Sequence, residues 1–167
     1  TVFAGSRKSH RAISEQAAYL TSNILSDNTT RNVLFNGALD VKGTDFKTKV
    51  AAVKTGTTED ARDAWTIGYT LNAAVGVWVG NNDNSPMLNG GSSMAGPIWQ
   101  EIMGQIIGSD SPEFTQPAGI TKATVCTDAG AVSDVFLSTN VPNRCDAEEP
   151  APEKEDKKKK NTQKEPA

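Results

Sequence analysis

Between residues 12 and 107 apolar positions recur with two different periods, and this part of the chain is rich enough in them to pack. Ala17, Leu20 and Ile24 fall at i, i+3 and i+7, which predicts a helix over 13–26 with one buried stripe. Ser14 suits its N-cap, Glu15 complements the dipole of its first turn, and Asp27-Asn28 ends it. Over 29–49 the apolar residues scatter around Gly37 and Gly43, as in an irregular connection. Strand signals follow. Residues 50–55 form a short apolar run with no alternation before Lys54, the pattern of a strand buried on both faces. Over 64–71, Trp65, Ile67, Tyr69 and Leu71 share one face and Thr66, Gly68 and Thr70 the other. Over 74–80, Val75, Val77 and Val79 alternate with Gly76, Trp78 and Gly80. The tight Asn72-Ala73 connection makes these two runs an antiparallel hairpin, with 50–55 beside them in chain order. Gly68 and Gly76 remove side chains inside strands, a sign of close approach by another element. The next helix, 97–107, is the candidate. Pro97 suits its first turn, and Ile98, Ile102 and Ile106 recur at i, i+4 and i+8 with Trp99 and Met103 beside them. It is expected on the face bearing Gly68 and Gly76.

Composition changes this picture at the two ends. Hydrophobic residues make up 37% of the 167, below the usual range of about 45–50%, and the shortfall lies late in the chain. Three parts follow: 1–108 as the packed portion, 109–145 as a linker with a small cysteine-bearing appendage, and 146–167 as a Glu/Lys/Pro-rich disordered tail. Lys157, Lys158, Lys159 and Lys160 read as solvated, with an anionic wall or membrane surface as the alternative. The polar, basic start shows no signal-peptide pattern, and no apolar run is long enough to cross a bilayer. A net charge of −3 argues against a dedicated nucleic-acid binder. His10, the single histidine, lacks partners at metal spacing and is given no role. The four Asn/Asp residues from Asn81 to Asn84 lack the Gly and Glu offsets of a calcium loop and read as a turn. Cys126 and Cys145 fit no metal or redox spacing; they are either two free thiols or a disulfide closing a loop of about 20 residues, worth roughly 3 kcal/mol. No metal or cofactor is called for.

The chemistry sits at Lys54-Thr55-Gly56, followed by Thr57 and Thr58 at the end of the run 50–55. By chance such a tripeptide arises in roughly a few per cent of chains this long, so its context carries the weight. Lys-Thr-Gly is one of three signatures of serine β-lactamases and penicillin-binding proteins. A lysine among hydroxyls binds a substrate carboxylate. Gly56 lets a substrate backbone lie against the strand, and Thr57 can supply a backbone N–H to an oxyanion hole.

The stretch KTGTTEDARDAWTIGYTLNAAVGVWVGNND closely resembles the end of the transpeptidase domain of class A penicillin-binding proteins. There a D-x-W-x-x-G-Y-T strand and a V-G-V-W-V-G strand follow the substrate-binding strand. AGPIW resembles the helix that then covers the sheet, AYLTSNILSDN the helix before the strand, and VC…RC the cysteine-bearing tail of many members. The resemblance spans residues 12–145 in the correct order; Leu71 stands where many members have Pro. It implies an α/β (α+β type) fold, an antiparallel sheet with flanking helices, of which this chain supplies three strands and two main helices. It implies D,D-transpeptidation, the cross-linking of peptidoglycan stem peptides at their D-Ala-D-Ala ends, with β-lactams as mimics. Substrate binding falls to Lys54, Thr55, Gly56, Thr57 and Thr58, and the oxyanion to the Thr57 N–H. It also implies an extracytoplasmic site, which favours the Cys126–Cys145 disulfide, and a parent with a membrane anchor and a glycosyltransferase domain.

One departure matters. The family's nucleophile lies in Ser-x-x-Lys, and no serine here has a lysine three residues on. Ser26-Asp27-Asn28 spells the second signature, yet it stands too close to Lys54 and reads as a helix stop. The chain is therefore expected to be a fragment whose catalytic serine lies elsewhere. The competing readings are a non-catalytic peptidoglycan-binding or sensor module that kept the groove, and a D,D-carboxypeptidase or β-lactamase on the same fold.

Overall fold

The structure, a computed structural model, describes residues 10–110 and 112–145. The basic start at 1–9 and the expected disordered tail at 146–167, with its lysine run, lie outside them. Helix α1 (Glu15–Ser26) begins where the Ser14 hydroxyl accepts the Ala17 N–H at 3.1 Å. Its packed side is not the predicted stripe: Ala17 and Ile24 are exposed, and the buried residue is Ser22. The Ser22 hydroxyl donates to Ala18 O at 2.9 Å, so the Tyr69 hydroxyl, also 2.9 Å away, donates to it. Small side chains let the helix approach the sheet, and a hydroxyl pair anchors it there.

Residues 29–49, expected as an irregular connection, instead form α2 (Asn28–Phe35) and a short hairpin of β1 (Val41–Lys42) and β2 (Thr48–Lys49). Asp27 ends α1 and caps α2, its carboxylate accepting the N–H groups of Thr29 and Thr30 at 2.9 and 3.2 Å. Val33 and Leu34 face outward and α2 buries no residue, so no apolar period announced it.

Strands β3 (Ala52–Thr57), β4 (Asp63–Tyr69) and β5 (Ala74–Gly80) form one antiparallel sheet in that order, as expected. Ala51, Ala52 and Val53 are buried while Lys54 is exposed, so β3 is covered on both faces only at its start. The hairpin turns on Leu71-Asn72, one residue earlier than expected, with Thr70 N–H donating to Ala73 O at 2.8 Å. Ile67 stands opposite Gly76, and Gly68 opposite Val75. Directly opposed residues share a face, so Gly68 and Gly76 lie on opposite faces and no single helix covers both. This corrects the packing expectation. After α3 (Gly91–Met94), helix α4 (Gly96–Ile107) takes the Gly68 face alone, where a Cβ on Gly68 would stand 2.3 Å from Trp99 Cζ2. Its buried stripe is Trp99, Met103 and Ile107, with Gly96 and Gly104 allowing close approach, whereas Ile98, Ile102 and Ile106 are exposed. Leu39, Val41, Val53, Ala64 and Val77 complete this core. On the other face α1 reaches β3, and Trp65, Ile67 and Trp78 remain exposed.

Beyond α4 the chain returns along the molecule: Phe114 meets Tyr69 edge-on at 5.8 Å, and Gln16 donates to Ala118 O at 2.7 Å. Strands β6 (Ile120–Thr127) and β7 (Gly130–Leu137) form a hairpin, and 143–145 lies beside β6 through Cys126 N–H to Asn143 O and Cys145 N–H to Thr124 O. Cys126 and Cys145 are joined, with Cα atoms 5.2 Å apart. No thiol is expected to titrate before reduction. Reduction should remove roughly 3 kcal/mol from this unit, read as faster amide exchange at Cys126 and Cys145 with β4 unchanged. Unchanged exchange at both cysteines would show that the ladder alone holds the segment.

Candidate functional site

Lys54, Thr55, Gly56 and Thr57 all lie on β3, and Thr58 follows it. Only β4 pairs with β3 among the described residues, so β3 is an edge strand. The Thr58 N–H donates to Asp63 O at 3.0 Å. Hydrogen-bonded pairs alternate along an antiparallel ladder, so Gly56/Trp65 and Lys54/Ile67 face β4 in the same way. Thr55 and Thr57 therefore turn their backbone groups outward, to the free edge. The Lys54 ammonium donates to one of these, Thr55 O, at 2.5 Å. Lys54 is exposed, and Thr55 and Gly56 are half-buried.

Behind the strand end sits the start of α3. The Gly91 N–H donates to Thr57 Oγ1 at 3.0 Å, which leaves the Thr57 hydroxyl proton to donate elsewhere. A Cβ on Gly91 would stand 2.5 Å from Trp65 O and 2.6 Å from Gly56 O, and one on Gly90 would stand 2.4 Å from Thr57 Oγ1. The buried Thr66 hydroxyl donates to Gly91 O at 3.0 Å from below. This glycine pair escaped the sequence reading; two adjacent glycines ahead of a helix were its one signal. Gly91→Ala should push α3 off Thr57. In a longer protein carrying the whole site, acylation by a β-lactam should fall about tenfold or more; an unchanged rate would show that Thr57 is held without Gly91.

The turn after Thr58 is tightly bound. Its hydroxyl donates to Asp63 Oδ2 at 2.9 Å and accepts the Asp63 N–H at 2.8 Å, and the Trp78 indole N–H donates to Asp63 Oδ1 at 2.8 Å. These bonds, Trp78 first and Thr58 second, hold the Asp63 carboxyl below its ordinary value. A depressed carboxyl keeps its bonded, ionised form above the usual aspartate range and loses it only as pH falls through the lowered value, so this arrangement is intact at neutral pH.

Ser26, Asp27 and Asn28 are used locally. Ser26 donates to Asn23 O at 3.3 Å, Asp27 caps α2, and Asn28 Oδ1 accepts from the Arg31 guanidinium. A cavity of about 260 Å³ nevertheless lies between this junction and β3, lined by Leu25, Asp27, Arg31, Leu34, Lys54 and Thr55 among others. His10 is exposed, and no group of three metal-binding side chains occurs among the described residues. The turn at Asn81 closes through Asn84 N–H to Asn81 O at 3.0 Å.

No protein-family model matches the chain. Penicillin-binding protein 1A of Clostridium tetani is 32% identical over 130 residues, covering 74% of this chain and 16% of that protein. Penicillin-binding protein 1A of Pseudomonas aeruginosa is 34% identical over 119 residues, covering 69% and 14%. The chain thus spans a small part of the curated relatives it matches. The crystal structure of penicillin-binding protein 1A from Haemophilus influenzae superposes with a TM-score of 0.64 at 21% identity, over 84% of this chain and 23% of that one. It shows the fold: mixed helix and antiparallel sheet.

Proposed function

Since this chain belongs to the class A penicillin-binding proteins, as a C-terminal part of their transpeptidase domain, we propose that it supplies the substrate-binding edge of a serine D,D-transpeptidase. The observation that carries this reading is the free edge of β3, where outward N–H groups of Thr55 and Thr57 adjoin Lys54 and a Thr57 hydroxyl whose oxygen already accepts from Gly91. A peptidoglycan stem peptide ending in D-Ala-D-Ala would lie antiparallel to this edge. Its terminal carboxylate would take the Lys54 charge and the Thr55 and Thr57 hydroxyl protons, and Gly56 would leave room for its backbone. The scissile carbonyl oxygen would accept from the Thr57 N–H as it becomes an oxyanion. β-Lactams, which carry a carboxylate beside a strained amide, would bind in the same way. Thr58 holds the turn, since its hydroxyl is bonded to Asp63.

The nucleophile is assigned outside this chain. No serine here has a lysine three residues on, and the matched relatives extend far beyond the part covered. The same reading places a glycosyltransferase unit and a membrane anchor in that remainder, with the protein on the extracytoplasmic face. No described helix is long and apolar enough to cross a membrane. The test is labelling by a fluorescent penicillin of a longer protein that joins this chain to its upstream Ser-x-x-Lys portion. Saturable labelling that a D-Ala-D-Ala peptide slows supports the reading. Absence of labelling in a folded protein with both signatures would sink it and favour a sensor.

A further inference from the structure

The Asp63 carboxylate sits at the junction of three elements. Trp78 projects from β5 on the same face as Asp63 and reaches it by lying across Gly80, the residue paired with Asp63. A Cβ on Gly80 would stand 2.4 Å from Trp78 Cζ2. Glycine at 80 is therefore the condition for this indole to lie flat and donate. The other carboxylate oxygen takes the Thr58 hydroxyl proton, and the Thr58/Asp63 pair is the last hydrogen-bonded rung before the turn. Beyond it Asp60 and Ala61 stand at φ 57° and 53°, a left-handed conformation that costs a residue with a side chain roughly 1–3 kcal/mol each. The rung therefore closes the ladder directly beside a strained turn. The residue next to this rung is Thr57, whose outward N–H is the oxyanion donor of the reading above.

We propose that Asp63, aimed by Trp78 lying over Gly80, is a positioning residue for acyl transfer: it closes the last rung of the β3–β4 ladder and so fixes the Thr57 N–H against the reacting carbonyl. Asp63 touches no substrate atom in this scheme. It acts through Thr58, against a strained turn. The inference rests on the assignment of Thr57 as oxyanion donor, and goes beyond it in naming what holds that donor. Because an oxyanion contact matters most in the transition state, loosening the rung lowers the rate of acylation at saturating ligand and leaves the initial, non-covalent affinity nearly unchanged. Lys54 differs, since loss of carboxylate anchoring weakens binding itself.

The experiment uses the longer protein with its Ser-x-x-Lys portion and a fluorescent penicillin, with stopped-flow separation of the binding constant from the acylation rate constant. Asp63→Ala and Gly80→Ala are expected to lower the acylation rate constant about ten- to a hundredfold, the range for a slightly misplaced reacting group, with the binding constant within about twofold of wild type. Asp63→Asn, which keeps an acceptor for Trp78, should recover most of the rate. Lys54→Ala serves as the reference for the site itself. If Lys54→Ala is impaired while Asp63→Ala and Gly80→Ala acylate like wild type, the positioning role is overturned and the site reading stands. If Lys54→Ala too acylates like wild type, the site reading falls and this inference with it. Equal losses in binding and rate for Gly80→Ala and Asp63→Ala would mark a merely structural role and also overturn it. Should Asp63→Ala not fold, Gly80→Ala and Asp63→Asn decide, since the Gly80→Ala Cβ meets the movable Trp78 ring at 2.4 Å before the nearest backbone atom, Arg62 O at 3.1 Å, and Asp63→Asn keeps the side chain's shape.

Discussion

Incubated with a β-lactam, the 167-residue chain is expected to form no covalent adduct by intact-mass spectrometry. Acylation needs a serine with a base in hydrogen-bond reach, and no serine here has the lysine one helical turn on that the family uses. On the function proposed above, the chain offers a carboxylate-binding edge and one oxyanion donor, groups that stabilise a transition state which another residue must create. In the longer protein with Ser-x-x-Lys, Lys54→Ala should cut acylation on the order of a hundredfold, within the range for truncating one partner of a hydrogen-bonded charge pair. Thr57→Ala should cost about tenfold or less, because one neutral hydrogen bond contributes roughly 1 kcal/mol and the backbone N–H survives. A stoichiometric adduct on the 167-residue chain would mean that the nucleophile lies within it. Ser26 would then be the first residue to map, since it opens the Ser26-Asp27-Asn28 triplet, of which Asp27 lines the cavity beside Lys54.

The second large effect is on stability. Trp99 is fully buried, and its ring fills the space that Gly68 leaves open in the middle of β4. Trp99→Ala in the longer protein should cost about 3–5 kcal/mol by cavity formation. Gly68→Ala should cost at least the upper end of the roughly 1–3 kcal/mol usual for overpacking. Its Cβ would meet Ala52 O at 2.6 Å as well as the indole at 2.3 Å, and a backbone oxygen cannot rotate away. The indole nitrogen of Trp99 is buried without a hydrogen-bond partner. Trp99→Phe should therefore lose clearly less than Trp99→Ala, because it also removes a donor whose desolvation costs about 1–3 kcal/mol. Chemical denaturation of the three variants measures this. Equal losses for Phe and Ala at 99 would refute the packing account. A Gly68→Ala variant as stable as wild type would refute the claim that glycine there is set by Trp99.

Local signals along the chain were enough for some of this protein. Ser14 before an apolar period marks the start of α1, and the alternation through Trp65, Ile67, Val75 and Val77 marks two strands, because a cap and a two-residue period depend only on neighbours in sequence. Lys54-Thr55-Gly56 at the end of a buried run located the candidate edge for the same reason. Faces and long-range contacts were another matter. Helix α4 carries two apolar stripes, Ile98/Ile102/Ile106 and Trp99/Met103/Ile107, and periodicity cannot rank them. The choice falls to Trp99 because Gly68 gives its ring a slot on the sheet. Gly68 and Gly76 both look like sites of close approach, yet the register opposes Gly76 to Ile67, so only one of them meets a helix. Helix α2 carries its Val33 and Leu34 outward and owes its start to the Asp27 cap, so no apolar period reports it. Gly91 behind Thr57, and Trp78 over Gly80 onto Asp63, join residues 34 and 15 positions apart. Sequence marked α1, the three strands of the central sheet and α4, and pointed to Lys54-Thr55-Gly56 as the candidate tripeptide, since caps, periods and short motifs are properties of neighbouring residues. The tertiary structure alone decided which faces meet and what holds the end of β3, because those depend on register and on where the absence of a side chain leaves room.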